Sequence, residues 1–185
     1  MTSLDIQRAL CGYWDVNLWN PRKVLAVRNS TGVAGWDADL LIIHPSGWAD
    51  EIEIKVSLSD FKREFTKKAH KHRSLQEGLP DFNLVGWKAV DDWTKCKPHI
   101  VRRFWFAVPS ELADKVRPLV PRYAGLITVE PGRHCGVPRK VLKAPQLKMA
   151  RQLTPEEQRA AIDSVYYRYW SIEHDEGWKL LRGAA

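Results

Sequence analysis

The run from Trp36 to Asp60, WDADLLIIHPSGWADEIEIKVSLSD, reads as a β-hairpin whose charges demand an explanation. Two aspartates open an apolar strand, HPSG supplies a turn, and the second strand carries Glu51, Glu53 and Lys55. Side chains alternate along a strand, so Glu51, Glu53, Lys55 and Ser57 share one face and Ile52, Ile54 and Val56 the other. A turn centred at Ser46 sets Asp39 opposite Glu53 and Asp37 opposite Lys55, with opposed β-carbons about 4.5–5.5 Å apart. Asp37 and Asp39 have the same parity. Moving the turn centre by one residue would bring Asp39 against Lys55 or Glu51. Facing carboxylates repel unless a cation sits between them. Lys55 is one such cation. A hard divalent ion is the other, because Mg²⁺ accepts one or two carboxylates and completes its shell with water and phosphate oxygens. The competing explanation is a solvated hairpin face on which acids and lysine alternate for solubility.

Working outward, Ser3–Trp14 has helical potential with Ser3 as its cap, and Lys23–Arg28 reads as a first strand. Asp39–Ile43 and Asp50–Ser57 are the second and third strands. From Ser59 the period becomes helical, with Ser59 or Asp60 as cap. Phe61, Phe65, Ala69 and His72 share one stripe there, and Lys62, Arg63, Lys67, Lys68, Lys71 and Arg73 lie on the other faces. The stretch 77–101 is irregular and rich in Trp and Lys. It suits either packing over the sheet or holding a single strand by stacking and charge. RFWFAVP (103–109) is a buried strand leading into a helix from Ser110 to Val116. AGLITVE (124–130) is another strand, and PRKVLKAP (138–145) an edge strand or loop. Pro155–Trp170 is a helix started by Thr154-Pro155-Glu156-Glu157. The order αβββαβαβ…α predicts an α/β protein with a mixed central sheet flanked by helices. One domain is expected, with its core over about 1–147 and a C-terminal helical extension over about 152–182.

Composition narrows the function classes. The 185 residues include nineteen aromatics, nine of them Trp, and 44% are apolar, which favours a folded globule over a disordered chain. A formal charge of +7 favours polyanionic partners, nucleic acid first, although charge for solubility alone is the plainer alternative. No apolar run approaches the ~20 residues needed to span a bilayer, and the N-terminus lacks the apolar core of a secretory signal. A cytoplasmic protein without membrane attachment is expected, and a homo-oligomer is left open. Three cysteines do not make a disulfide framework. Cys96, His99, His134 and Cys135 could be gathered around zinc, but adjacent ligands at 134–135 fit a tetrahedral site awkwardly, and reduced thiols with ordinary histidines are the alternative.

The acid-strand-acid-x-lysine pattern resembles the PD-(D/E)XK nuclease superfamily, the restriction-endonuclease-like fold. Asp39 begins one strand, Glu53-Ile54-Lys55 lies in the next, and a helix follows. The ordered segments ADLLII…EIEIKVSLSDFKREFTKK, FWFAVPSELADKV, PRYAGLITVE and KVLKAPQL look like the small phage-type and DNA-repair-associated branch. They cover roughly 36–75 and 103–147. The resemblance implies a Mg²⁺- or Mn²⁺-dependent nuclease acting on nucleic acid, DNA before RNA, as an endonuclease or an exonuclease, with an αβββαβ core. It makes Asp39 and Glu53 metal ligands, the Ile54 carbonyl a third, and Lys55 the residue that handles the attacking water or the phosphate charge. Lys67, Lys68, Lys71, His72 and Arg73 become candidates for nucleic-acid contact, with Asp37, Glu51 and Ser57 as accessory residues. For the helical group, a solvated helix face is the plain alternative. One departure is evident: many members carry a glutamate on the first helix, and here only Asp5 and Asp15 precede the hairpin. A nuclease-fold module that binds DNA or protein without catalysis, in recombination, replication or inhibition, is the rival reading.

Overall fold

The computed structural model describes residues 1–12, 24–30, 36–77, 99–132, 136–148 and 150–167. Its centre is a six-stranded sheet in the sequential order β1 (Leu25–Ser30), β2 (Ala38–Ile43), β3 (Ala49–Ile54), β4 (Val101–Pro109), β5 (Ala124–Glu130) and β6 (Val137–Leu142). The first three strands are antiparallel, β3, β4 and β5 run parallel, and β6 closes the far edge antiparallel to β5. The expected mixed sheet flanked by helices is present.

Parallel neighbours need crossovers, and the chain supplies them with helices. Between β3 and β4 run α2 (Leu58–Lys67) and α3 (Ala69–Glu77), and between β4 and β5 the short α4 (Ala113–Val116) is flanked by two turns of 3-10 helix. Phe61, Leu75 and Val116 from these helices pack with Leu41, Phe104, Phe106 and Leu126 on one sheet face. On the other face α1 (Ser3–Gly12) sets Ile6, Ala9 and Leu10 against Leu40, Ile52, Ile54, Trp105 and Ile127. Both faces of β3 are therefore covered, and all six of its residues are buried. A central strand covered on both sides is ordinarily apolar throughout. Finding Glu51 and Glu53 there excludes the solvated-hairpin explanation.

The β2–β3 turn fixes the register. Pro45 presets φ, and Gly47 adopts a φ of 80°, a left-handed conformation that glycine takes without a Cβ clash. The Gly47 amide donates to the His44 carbonyl at 2.9 Å, and the His44 amide donates to the Trp48 carbonyl at 2.8 Å. Leu40 then faces Ile52 and Leu41 faces Glu51, so continuing the ladder one step sets Asp39 opposite Glu53. This is the register expected for a turn centred at Ser46. Gly125, paired with Trp105 across β4 and β5, makes room for the Trp105 ring: a Cβ there would lie 2.6 Å from the Ala144 amide nitrogen.

Several boundaries differ from the sequence reading. β1 begins at Leu25 and runs to Ser30, two residues beyond Arg28. The helix after β3 is capped by Ser57, whose Oγ accepts from the Asp60 amide at 3.1 Å, not by Ser59 or Asp60. That helix also breaks at Lys68, where φ is −118° and ψ is 38°, and restarts as α3. The C-terminal helix, α5, is described over 155–167. Most of the Trp-rich segment (78–98), as well as Asp15 and Cys96, His134 and Cys135 of the zinc alternative, lies outside the described residues; His99 is buried. No helix among the described residues is long and apolar enough to cross a membrane.

Candidate functional site

The charged face of β3 runs from a sealed interior to an open cleft. At the inner end Glu51 is fully buried. Its Oε2 accepts from the Trp36 indole at 2.6 Å, and its Oε1 is ion-paired with Lys71. Glu53, one step along, is 1% exposed and surrounded by three ammonium groups. Lys55 and Lys68 reach its Oε1 at 3.0 and 2.7 Å, and Lys71 reaches Oε2 at 2.8 Å. Beyond it a cleft of about 270 Å³ opens, lined by Asp39, Glu53, Ile54, Lys55, Glu64, Lys67 and Lys68 among others.

Each partner is placed by a local rule. Glu53 and Lys55 are two residues apart on one strand and so point the same way. The break at Lys68 turns α3 back over the sheet, which brings both Lys68 and Lys71 onto the acids. Asp39 is anchored through Oδ2, which accepts from the Ile54 amide at 2.8 Å, and its other oxygen has no partner among the described residues. From α1, Gln7 donates to the Asp39 carbonyl at 3.1 Å and to Asn29 Oδ1 at 3.0 Å. Gln7 thus stands on the first helix beside the site, while Asp5 turns outward to bond Thr2.

The electrostatics separate these groups. Burial, and then the negative charge of Glu53, push the Asp39 carboxyl above the ordinary carboxylate range. Burial likewise raises Glu51, only partly offset by Lys71. Burial also works to raise Glu53, but Lys71, Lys55 and Lys68 outweigh it and hold Glu53 below the usual range. For Lys55, burial would favour the neutral amine, yet Glu53 and Glu64 more than reverse that. Glu53 and Glu64 thus favour the charged ammonium at Lys55.

The sequence reading missed Glu64. This α2 residue is 3% exposed and bonds Lys55 through Oε2 at 2.7 Å, and its Oε1 lies 3.3 Å from His72 Nε2. His72 Nδ1 in turn lies 2.7 Å from the Tyr123 hydroxyl. The signal was present. Glu64 falls beside Phe61 and Phe65 on the apolar stripe of the helix, and an acid on an apolar stripe needs a buried partner.

The candidates for nucleic-acid contact divide. Lys67 and Lys68 line the cleft, whereas Arg73 is exposed and bonds Glu77. Lys71 and His72 do not lie on a solvated face: the helix break turns both inward, and both are buried against acids and rings. Of the accessory residues, Glu51 is a sealed partner of Lys71, and Ser57 is a helix cap. Asp37 is exposed, its carbonyl 3.5 Å from Lys68 Nζ.

No protein-family model and no curated protein matches this chain. The fold is similar to that of a solved protein of unknown function from Silicibacter pomeroyi. The two share 17% identity over 96% of this chain and 94% of that one, with a TM-score of 0.56. That likeness extends to the fold alone.

Chemically, the site offers hard oxygen donors at Asp39, at Glu53 and on the Ile54 backbone, next to a fixed lysine cation, all on one open cleft. Such donors suit Mg²⁺ or Mn²⁺ better than a soft metal. Among the described residues no cluster of three or more His, Cys, Asp or Glu side chains stands ready as a cage. A site of two carboxylates completed by water and phosphate does not need one.

Proposed function

We propose that this chain is a metal-dependent nuclease with a PD-(D/E)XK, restriction-endonuclease-like core, hydrolysing phosphodiester bonds, with DNA as its substrate. The observation that carries the reading is that Asp39, one step past the Leu40–Ile52 pair and bonded to the Ile54 amide, lines one open cleft together with Glu53 and Lys55. Burying three carboxylates (Glu51, Glu53 and Glu64) and two lysines (Lys55 and Lys71) in one cluster is expensive, and hydrophobic replacements of similar volume often serve stability as well or better. Such a cluster next to a cleft is more economically explained by chemistry than by folding.

Asp39, Glu53 and the Ile54 carbonyl are the groups that would hold Mg²⁺ or Mn²⁺. The bound ion would neutralise phosphate charge and acidify a coordinated water. Lys55, fixed between Glu53 and Glu64, presents a preorganised positive charge to the phosphoryl oxygens, where charge grows during attack. Gln7 and the Ile54 amide hold the Asp39 segment in place. Arg63, Lys67 and Lys68 give the cleft a cationic wall for the phosphate backbone, which suits the net charge of +7. The test is incubation with linear, nicked, branched and single-stranded DNA, and with RNA, with Mg²⁺, Mn²⁺ or a chelator. Metal-dependent cleavage of DNA is expected. Nucleic-acid binding without cleavage under every condition would favour the non-catalytic module.

A further inference from the structure

The three lysines on Glu53 are not equivalent. Lys55 has a second short carboxylate bond, to Glu64, and its side chain is 8% exposed. Lys71 is also paired with Glu51, lies 5.0 Å from the centre of the Phe104 ring, and is 3% exposed. Lys68 is held differently. Its short carboxylate contact is with Glu53 at 2.7 Å. Glu64 lies at 3.7 Å, the Asp37 carbonyl at 3.5 Å, and the side chain is 23% exposed on the cleft wall.

The charge count points the same way. Asp39, Glu51, Glu53 and Glu64 carry four formal negative charges, against three positive charges on Lys55, Lys68 and Lys71. With Lys68 withdrawn, four against two leaves −2, the charge that one divalent cation neutralises. Withdrawal is inexpensive for this lysine alone, since its strongly hydrated ammonium sits on a flexible stem already open to water.

We propose that Lys68 is the resident counter-ion of the metal-free site: its ammonium satisfies Glu53 Oε1, and divalent-cation binding displaces it into the cleft, where it is free to contact a substrate phosphate. This rests on the metal-dependent reading above. It gives the residue at the helix break two successive partners, carboxylate and then phosphate.

Calorimetric titration with Mn²⁺ alone, on wild type, Lys68→Met and Lys67→Met, tests it. Lys67 lines the same cleft and its loss removes the same charge. Relieving the ion of one charge-assisted bond to displace should tighten Mn²⁺ binding about ten- to a hundredfold in Lys68→Met. Lys67→Met should shift it by no more than about threefold, as expected of a screened surface charge. Unchanged affinity in Lys68→Met, or equal tightening in both variants, overturns the proposal while leaving the metal site standing. Absence of Mn²⁺ binding in all three proteins overturns the metal reading and this inference with it. A second measurement needs no variant: ammonium NMR of wild type during a Mg²⁺ titration should show Lys68 losing its restrained signal while Lys55 and Lys71 keep theirs. Loss of none, or of all three together, counts against displacement.

Discussion

Replacing Asp39 by asparagine should make the metal-free protein more stable while removing its capacity for metal. Opposed positions on neighbouring antiparallel strands have β-carbons roughly 5 Å apart. Two unit charges roughly 6 Å apart repel by about 3 kcal/mol at an effective dielectric of 20. Lys55 and Lys68 offset part of this for Asp39, but the balance stays unfavourable, because burial and Glu53 hold its carboxyl above the ordinary range. The sign follows directly. A carboxyl with a raised folded-state pKa costs stability while ionised at neutral pH, and that cost disappears as pH falls through the raised value. Asparagine carries no charge and keeps an oxygen to accept from the Ile54 amide, so Asp39→Asn should gain on the order of 1 kcal/mol. For a chain of this length that corresponds to a Tm rise of about 2–4 °C. The assay is thermal melting at pH 7 in chelator and then in excess Mn²⁺. Wild type should gain Tm with Mn²⁺ by mass action and Asp39→Asn should not. Asp37→Asn, at an exposed position, should respond to Mn²⁺ like wild type. A lower chelator Tm for Asp39→Asn refutes the electrostatic reasoning, and an Mn²⁺ response lost in Asp37→Asn instead refutes the ligand assignment.

Two further outcomes concern the interior. Lys55→Met strips a cation from Glu53 and Glu64 and should cost about 3–5 kcal/mol in denaturant unfolding, as removal of one partner from a buried pair does. A loss under about 1 kcal/mol would mean the pair is effectively solvated. Glu64 is a carboxyl held below its ordinary range: burial opposes this, but the bonds from His72 and Lys55 prevail. Its stabilising contribution is therefore full above about pH 4.3, the unfolded value, and is lost as pH falls through the folded one. Glu64→Gln should be less stable than wild type at pH 7 by about 1–3 kcal/mol, with the gap between the two melting curves beginning to narrow as pH falls below about 4.3. Parallel curves across that range would show that Glu64 gains nothing from its partners.

The sheet was legible because its strands declare themselves locally. β5 falls on AGLITVE, and the Leu40–Ile52 pair selects the turn centred at Ser46 from the registers that HPSG left open. The interior lysines were not legible, since a lysine on a helix is ordinarily a solvated one. What turns Lys71 inward is the break at Lys68, and no Gly or Pro marks it in KKAHKH. Glu64 was marked by its place on the Phe61–Phe65 stripe, but its partners were not: only the crossover from β3 to β4 brings Lys55 and His72 beside it. The Trp36 bond to Glu51 was equally hidden, because it joins residues fifteen apart through the sheet face and not through any local pattern.

If Asp39, Glu53 and Lys55 form a hydrolytic site for phosphodiesters, cleavage must depend on Asp39. The most direct measurement is the cleavage rate of DNA in Mn²⁺ by wild type and Asp39→Asn, side by side, with melting curves showing both folded. Wild type should cleave in a way that chelator abolishes, and the variant should lose about two orders of magnitude or more in rate. Equal cleavage by the two proteins, or none by wild type on any DNA substrate, would contradict it.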